Sequence, residues 1–217
     1  MTRRILQLFV GLLCYGLGLA LMLRAQVGVA PWDVLSQGIS LHLPLSFGAI
    51  TIIVAGLVLL LWIPIREKPG FGTIANALLI GAFADLFLWM LPLQTELPWQ
   101  LLTFALGLVT VGFATGLYIG ARMGSGPRDG LMTGLHRVTG KPIWMVRTGI
   151  EIVVLAGGWL LGGNVGLGTV AFALLVGPIA GFFMPLLHVK LPGDDTAPPP
   201  DPAEEPSPTT GPVFTGR

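Results

Sequence analysis

Two short segments could supply carboxylates for binding a cation or a small solute: GVAPWDVLSQG at 28–38 and GSGPRDGLMTG at 124–134. They share a glycine, a proline and an aspartate at equal spacing, which are Gly28, Pro31 and Asp33 in the first and Gly124, Pro127 and Asp129 in the second. Glycine permits a positive φ, and proline suits the first turn of a helix. Each segment therefore predicts a turn that opens a helix, with its aspartate near the positive end of the helix dipole.

Two interpretations of this aspartate pair stay open. In one, Asp33 and Asp129 are helix-capping residues in turns at the membrane surface. In the other they are ligands, because broken helices that meet near the middle of a membrane build the substrate sites of several transporter folds. The second turn also contains Gly126 and Arg128. Its helix N-terminus could hold an anion, although the negative charge of Asp129 weakens that idea.

Three further charges lie inside apolar stretches that could cross a bilayer: Asp85, Arg147 and Glu151. A single charge at the bilayer centre costs about 2.5–3.5 kcal/mol on insertion scales, so such residues are candidates for a solute or ion pathway. Arg147 and Glu151 are four positions apart and can also form a purely structural ion pair on one helix face. Asp85 lies near the end of its stretch, so a place at the membrane surface fits equally well.

Patterns typical of enzymes and metal sites are missing from the sequence. Cys14 is the single cysteine, and the three histidines are scattered near the ends of apolar stretches. No serine–base arrangement or metal-ligand spacing falls at membrane depth. We therefore expect no catalytic residue, no metal and no cofactor, and we expect that the protein is not an enzyme.

Composition places the chain among membrane proteins. Charged residues make up 11 % of its 217 residues and hydrophobic residues 53 %, whereas soluble domains contain about 25 % charged residues; the mean hydropathy is +0.80. Six apolar stretches approach the roughly 20 residues that a spanning helix needs: about 5–23, 45–65, 71–91, 99–120, 143–162 and 168–188. Five tryptophans near their ends predict interfacial anchors: Trp62, Trp89, Trp99, Trp144 and Trp159.

The 96-residue offset between the two turns extends to other parts of the chain. Residues 70–87 align without a gap on 166–183, with ten identities. The chain is therefore a duplicated unit of three spans, and three crossings bring the second copy into the membrane upside down. Two inverted repeats, 1–95 and 96–190, are the layout of many secondary transporters. Paired glycines predict close helix contacts: Gly70, Gly72 and Gly81 with Gly166, Gly168 and Gly177.

Basic residues are distributed unevenly between the two sides of this topology. Eleven of the twelve lysines and arginines fall on the side of the N-terminus, and Arg24 alone falls on the other. The positive-inside rule then predicts that both termini are cytoplasmic in a bacterial inner membrane. Residues 191–217 are rich in proline and acidic residues and predict a disordered cytoplasmic tail.

The two turns, together with GLGTVAFALLVGPI at 166–179, resemble the YczE/YyaS/YitT family of bacterial integral membrane proteins. The resemblance covers residues 1 to about 190. Because the chain has only its tail where YitT-type members add a soluble cytoplasmic domain, it is similar to the shorter YczE-type branch. The resemblance implies a multi-spanning membrane protein and supplies neither a substrate nor catalytic residues.

We therefore expect an all-α membrane protein of six spans in two inverted three-helix repeats. The function expected is a small-solute transporter or exporter working by alternating access, with its site near Asp33, Asp129 and Glu151. The alternative is a non-transporting accessory or assembly factor that acts through its basic loop, 121–142. The expected partners are the lipid bilayer, a small solute and a coupling ion, without nucleic acid; a homodimer is left open.

Overall fold

A computed structural model describes residues 1–189, and within them the protein is all-α. The predicted tail, 191–217, lies outside the described residues. Eight helices follow one another along the described part of the chain: α1 (Thr2–Ala25), α2 (Pro31–Ser40), α3 (Phe47–Ile65), α4 (Phe71–Met90), α5 (Leu97–Gly120), α6 (Pro127–Thr139), α7 (Ile143–Leu160) and α8 (Leu167–Leu187). The first four and the last four correspond to each other at the 96-residue offset.

Six of these helices are long and apolar enough to span a membrane, which confirms the predicted class and all six spans. They are α1, α3, α4, α5, α7 and α8. The other two, α2 and α6, are short helices that begin at Pro31 and Pro127, as the paired turns predict. A short helix therefore separates the first span of each half from the second.

The core of the molecule is the contact between α1 and α5, which occupy equivalent places in the two halves. Glycines allow the two helices to approach closely. A Cβ atom on Gly18 would lie 2.9 Å from the carbonyl oxygen of Gly107, and one on Gly11 would lie 2.8 Å from the backbone nitrogen of Tyr118. Helix α4 packs against α1, and its counterpart α8 packs against α5. The two halves thus make equivalent contacts around this central pair.

The short helix of each half packs against the second span of the other half, α2 on α7 and α6 on α3. Trp62 of α3 lies against Gly130 of α6. At the equivalent contact in the other half, Gly158 of α7 takes the place of Trp62, and Val34 of α2 takes the place of Gly130. Trp62 is only 2 % exposed and donates from Nε1 to the carbonyl oxygen of Pro127 at 3.1 Å. The prediction that Trp62 is an interfacial anchor is therefore wrong, while the other four tryptophans of that group are exposed.

Each turn also docks on the start of the last span of the other half. The Gly168 nitrogen donates to the Val27 carbonyl at 2.8 Å, and the equivalent Gly72 nitrogen donates to the Met123 carbonyl at 2.8 Å. The turns adopt positive φ at Gly28 (113°) and Gly124 (126°), the backbone conformation that favours glycine. The close contacts predicted for these paired glycines are thus made with the facing turns.

One pair of contacts breaks the equivalence of the halves. Helix α3 packs closely on α4, with Gly48 and Gly81 in mutual backbone contact. The counterparts of these helices, α7 and α8, make no contact of comparable extent within the described residues. A Cβ atom on Gly177, which corresponds to Gly81, would meet nothing within 4 Å. The close contact predicted for Gly177 is therefore wrong, and a gap separates α7 from α8.

Candidate functional site

A central cavity of about 400 Å³ lies where the two short helices begin. Ala30 and Pro31 of the first turn and Gly126 and Pro127 of the second all line it, so both helix N-termini border the same space. Spans of both halves supply the remaining wall, including α7 and α8 on either side of their gap. The predicted pair of turns therefore surrounds one cavity.

Trp32 and Arg128 contact each other at this cavity. The guanidinium carbon of Arg128 lies 5.3 Å from the centroid of the Trp32 ring, a cation–π arrangement. The two residues occupy equivalent positions in the halves, each directly after the proline of its turn. The two turns thus contact each other through equivalent residues.

Asp33 forms an ion pair with Arg128. Its Oδ1 lies 3.2 Å from Nη2 of Arg128, and the Asp33 side chain is 1 % exposed while that of Arg128 is 24 % exposed. The other carboxylate oxygen, Oδ2, is buried without a hydrogen-bond partner in the described structure. Asp33 does not line the cavity, so its carboxylate binds Arg128 on the side that faces away from the cavity.

Asp129 is the aspartate that lines the cavity, and its side chain is exposed. The phenol of Tyr118, on α5, donates to its Oδ2 at 2.8 Å. Tyr118 in turn lies edge-on to Tyr15 of α1, with 6.1 Å between ring centroids. The two aspartates predicted as an equivalent pair therefore have different surroundings: one is buried against a cation and the other faces open space beside aromatic rings.

The predicted pair on α7 also reaches this cavity. Nε of Arg147 donates to Oε1 of Glu151 at 2.9 Å, and both residues line the wall beside the gap to α8. Asp85, the remaining charged candidate, lies elsewhere: its carboxylate accepts from the hydroxyl of Ser46 and from the Gly48 nitrogen at 2.7 Å. Asp85 thus ties α4 to the first turn of α3 and does not line the cavity.

Tyr15, Tyr118 and Trp32 line the cavity and were not singled out from the sequence. Asn76, a polar residue within the third apolar stretch, lines it as well. Asn76 and Tyr15 have apolar counterparts in the other half, so the symmetry that identified the turns could not identify them. Trp32 could have been identified from the sequence, because it stands at the position equivalent to Arg128. Within residues 1–189, no three histidine, cysteine, aspartate or glutamate side chains gather as a metal site would require.

Comparison with known proteins places this arrangement in a family. Residues 2–185 match a protein family of unknown function, DUF6198. The chain belongs to this family. Nearly all of the membrane part falls within the match, including both turns and the cavity wall.

Proteins from two bacteria are similar in sequence to most of this chain. It is 37 % identical over 172 residues to an uncharacterised protein of Haemophilus influenzae, covering 79 % of each chain. It is 34 % identical over 179 residues to the uncharacterised membrane protein YczE of Bacillus subtilis, covering 82 % of this chain and 83 % of the relative. The uncharacterised protein YyaS of Bacillus subtilis is 27 % identical over 183 residues. These matches confirm the resemblance to YczE and YyaS and the membrane location; no solved structure matches the chain.

Proposed function

We propose that this protein is a transporter that moves a small solute across the bacterial inner membrane by alternating access between two inverted repeats. The contact between Trp32 and Arg128 carries the proposal. In an inverted repeat the two-fold axis lies in the membrane plane, so residues on that axis lie at the middle of the bilayer. The cavity beside them would then be at mid-depth, where such transporters bind their solutes.

The nature of the cavity wall supports a solute site. Charged side chains at bilayer depth are costly and are usually associated with solute or ion pathways. Here Arg128, Asp129, Arg147 and Glu151 all line one space. Non-helical backbone, such as the two turns, is tolerated at that depth only inside protein or beside a watery cavity. Both the non-helical turns and the charged side chains are therefore explained by a water-accessible cavity inside the protein.

The unequal helix contacts support alternating access. The contact of α3 with α4 at Gly48 and Gly81 closes one side of the cavity, and Asp85 holds these helices together. The corresponding helices of the second half, α7 and α8, stand apart beside the cavity. By the predicted topology, the closed contact lies toward the outside and the gap toward the cytoplasm. The molecule would then be open inward, and exchange of the two arrangements would open it outward.

The alternative of an accessory factor acting through the basic loop finds less support. Arg128, a basic residue of that loop, lines the cavity and pairs with Asp33. Arg137 lies 2.7 Å from the carboxylate of Glu67 and donates to the Ile65 carbonyl. Two basic residues of this loop thus have acidic partners within the protein, which lowers the net positive charge that the loop can offer to another protein.

A deletion strain tests the proposal. The strain is screened for altered uptake of, or sensitivity to, a broad panel of small solutes, and the phenotype is complemented with wild type, Asp129→Asn or Glu96→Gln. Glu96 is an exposed acid in the loop before α5 and serves as the matched control. A transporter predicts that Asp129→Asn fails to complement at normal membrane abundance while Glu96→Gln succeeds. Full complementation by Asp129→Asn would contradict the proposed site.

A further inference from the structure

We propose that the central cavity binds a monovalent organic cation, whose positive charge pairs with the Asp129 carboxylate and whose apolar part lies against the neighbouring aromatic rings. This inference rests on the proposed function, because it names the class of solute for the same cavity. It follows from the charge balance of the wall, from the exposure of Asp129 and from the residues beside it.

The charges at the cavity leave one carboxylate without a cation. Arg128 pairs with Asp33, and Arg147 pairs with Glu151. Asp129 receives a hydrogen bond from the neutral phenol of Tyr118, and no ion pair of the described residues includes it. When Asp33, which lies behind Arg128, is counted with the wall residues, three carboxylates stand against two guanidiniums, and Asp129 is the carboxylate without a cation. An anion would meet only arginines whose charge is already balanced by a carboxylate.

Asp129 is also far more accessible to a ligand than Asp33. Its side chain is exposed and lines the cavity, whereas that of Asp33 is 1 % exposed and lies behind Arg128. The Tyr118 bond fixes one oxygen of the Asp129 carboxylate. A carboxylate can accept several hydrogen bonds, so it can contact an ammonium group while it keeps the tyrosine.

The residues beside Asp129 favour an organic cation over a metal ion. The phenol of Tyr118 contacts the carboxylate, and the ring of Tyr15 lies edge-on to that of Tyr118 and also lines the cavity. Aromatic faces attract ammonium groups. Metal ions need several oxygen or nitrogen ligands, and residues 1–189 bring no three candidate side chains together. A volume of about 400 Å³ is within the range of small-molecule sites.

Equilibrium binding tests this inference separately from transport. The full-length protein in lipid nanodiscs is titrated calorimetrically with benzyltrimethylammonium, with its neutral isostere neopentylbenzene and with the anion phenylmethanesulfonate. The three probes share a benzyl group and differ in charge. We expect the cation to bind at least tenfold more tightly than either of the other two. Equal or tighter binding of the neutral or anionic probe would overturn the inference, and this comparison needs no variant.

Variants then test whether Asp129 is the carboxylate that binds the cation. Asp129→Asn should weaken cation binding at least tenfold, while Asp129→Glu and the distant control Glu96→Gln should retain it. Unchanged binding in a folded Asp129→Asn protein would overturn the assignment. Proteoliposome counterflow distinguishes the two proposals: cation binding without flux contradicts the transporter alone, and flux of another solute without cation binding contradicts the cation site alone.

Discussion

The guanidinium of Arg128 lies over the indole ring of Trp32, the residue at the equivalent position 96 places earlier. One position thus carries a cation in one half and an aromatic ring in the other. Two identical side chains there would be two arginines, which repel, or two tryptophans, which leave Asp33 without its cation. Divergence of the halves at this position makes the contact between the turns attractive.

Loss of Arg128 should destabilise the protein more than loss of its partner. Arg128→Gln leaves the Asp33 carboxylate buried without a cation, and removing one partner of a buried ion pair costs about 3–5 kcal/mol. Asp33→Asn leaves the partly exposed Arg128 at the cavity without its carboxylate and should cost about 1–3 kcal/mol. Thermal unfolding in detergent measures both losses.

The double variant separates an ion pair from general packing. Asp33→Asn/Arg128→Gln should be more stable than Arg128→Gln alone, because the buried charge is removed together with its partner. If the two single losses simply add, Asp33 and Arg128 are not energetically coupled and the proposed role of Asp33 in holding the arginine is wrong.

The glycines of the turns should tolerate no side chain. Gly28→Ala and Gly124→Ala each place a Cβ at a positive φ that alanine rarely adopts, and each Cβ would lie within 2.8 Å of the facing threonine, Thr169 or Thr73. We expect each substitution to lower the Tm by several degrees and to reduce the yield of folded protein. The matched control is Gly56→Ala in α3, where a Cβ meets nothing within 4 Å. A control as damaged as the turn variants would contradict this assignment of the strain.

The sequence alone predicted the spans and the short helices, and the meeting of two equivalent turns was one of the two interpretations that it left open. Each of these depends on periodic or repeated features: apolar length for the spans, and proline and glycine at a fixed offset for the turns. The different surroundings of Asp33 and Asp129 were not predictable in this way. The repeat gives both residues the same position, and only the neighbours at Trp32 and Arg128, which differ between the halves, decide which carboxylate is buried.

The unequal contacts of α3–α4 and α7–α8 also escaped prediction, for a related reason. Gly81 and Gly177 are identical in type and position, so the repeat predicts equal packing for both. The difference lies in their partners, because Gly48 corresponds to Trp144 and Asp85 corresponds to Gly181. A glycine permits a close approach, but the facing residue and a capping carboxylate determine whether the helices meet.

Substitution of these two glycines should therefore have unequal effects. Gly81→Ala would place a Cβ against the carbonyl oxygen of Gly48 and force α3 away from α4, whereas Gly177→Ala adds a methyl group to open space. We expect Gly81→Ala to lower the Tm by several degrees and Gly177→Ala to leave it within about one degree, since a methyl group that meets no neighbouring atom changes stability little. Equal losses for the two variants would show that the helix pairs are packed alike.

Labelling of single cysteines tests the inverted arrangement on which the proposed transport depends. Leu43 lies between α2 and α3, Lys141 lies between α6 and α7, and both side chains are exposed. Leu43→Cys and Lys141→Cys are introduced separately after Cys14→Ser removes the native thiol. A membrane-impermeant maleimide added to intact spheroplasts should label position 43 and leave position 141 unlabelled until the membrane is opened. The reason is that three crossings separate each residue from its counterpart in the other half, so equivalent loops must face opposite compartments. Labelling of both positions from the same side would contradict the inversion, and with it the placing of Trp32 and Arg128 at the middle of the bilayer.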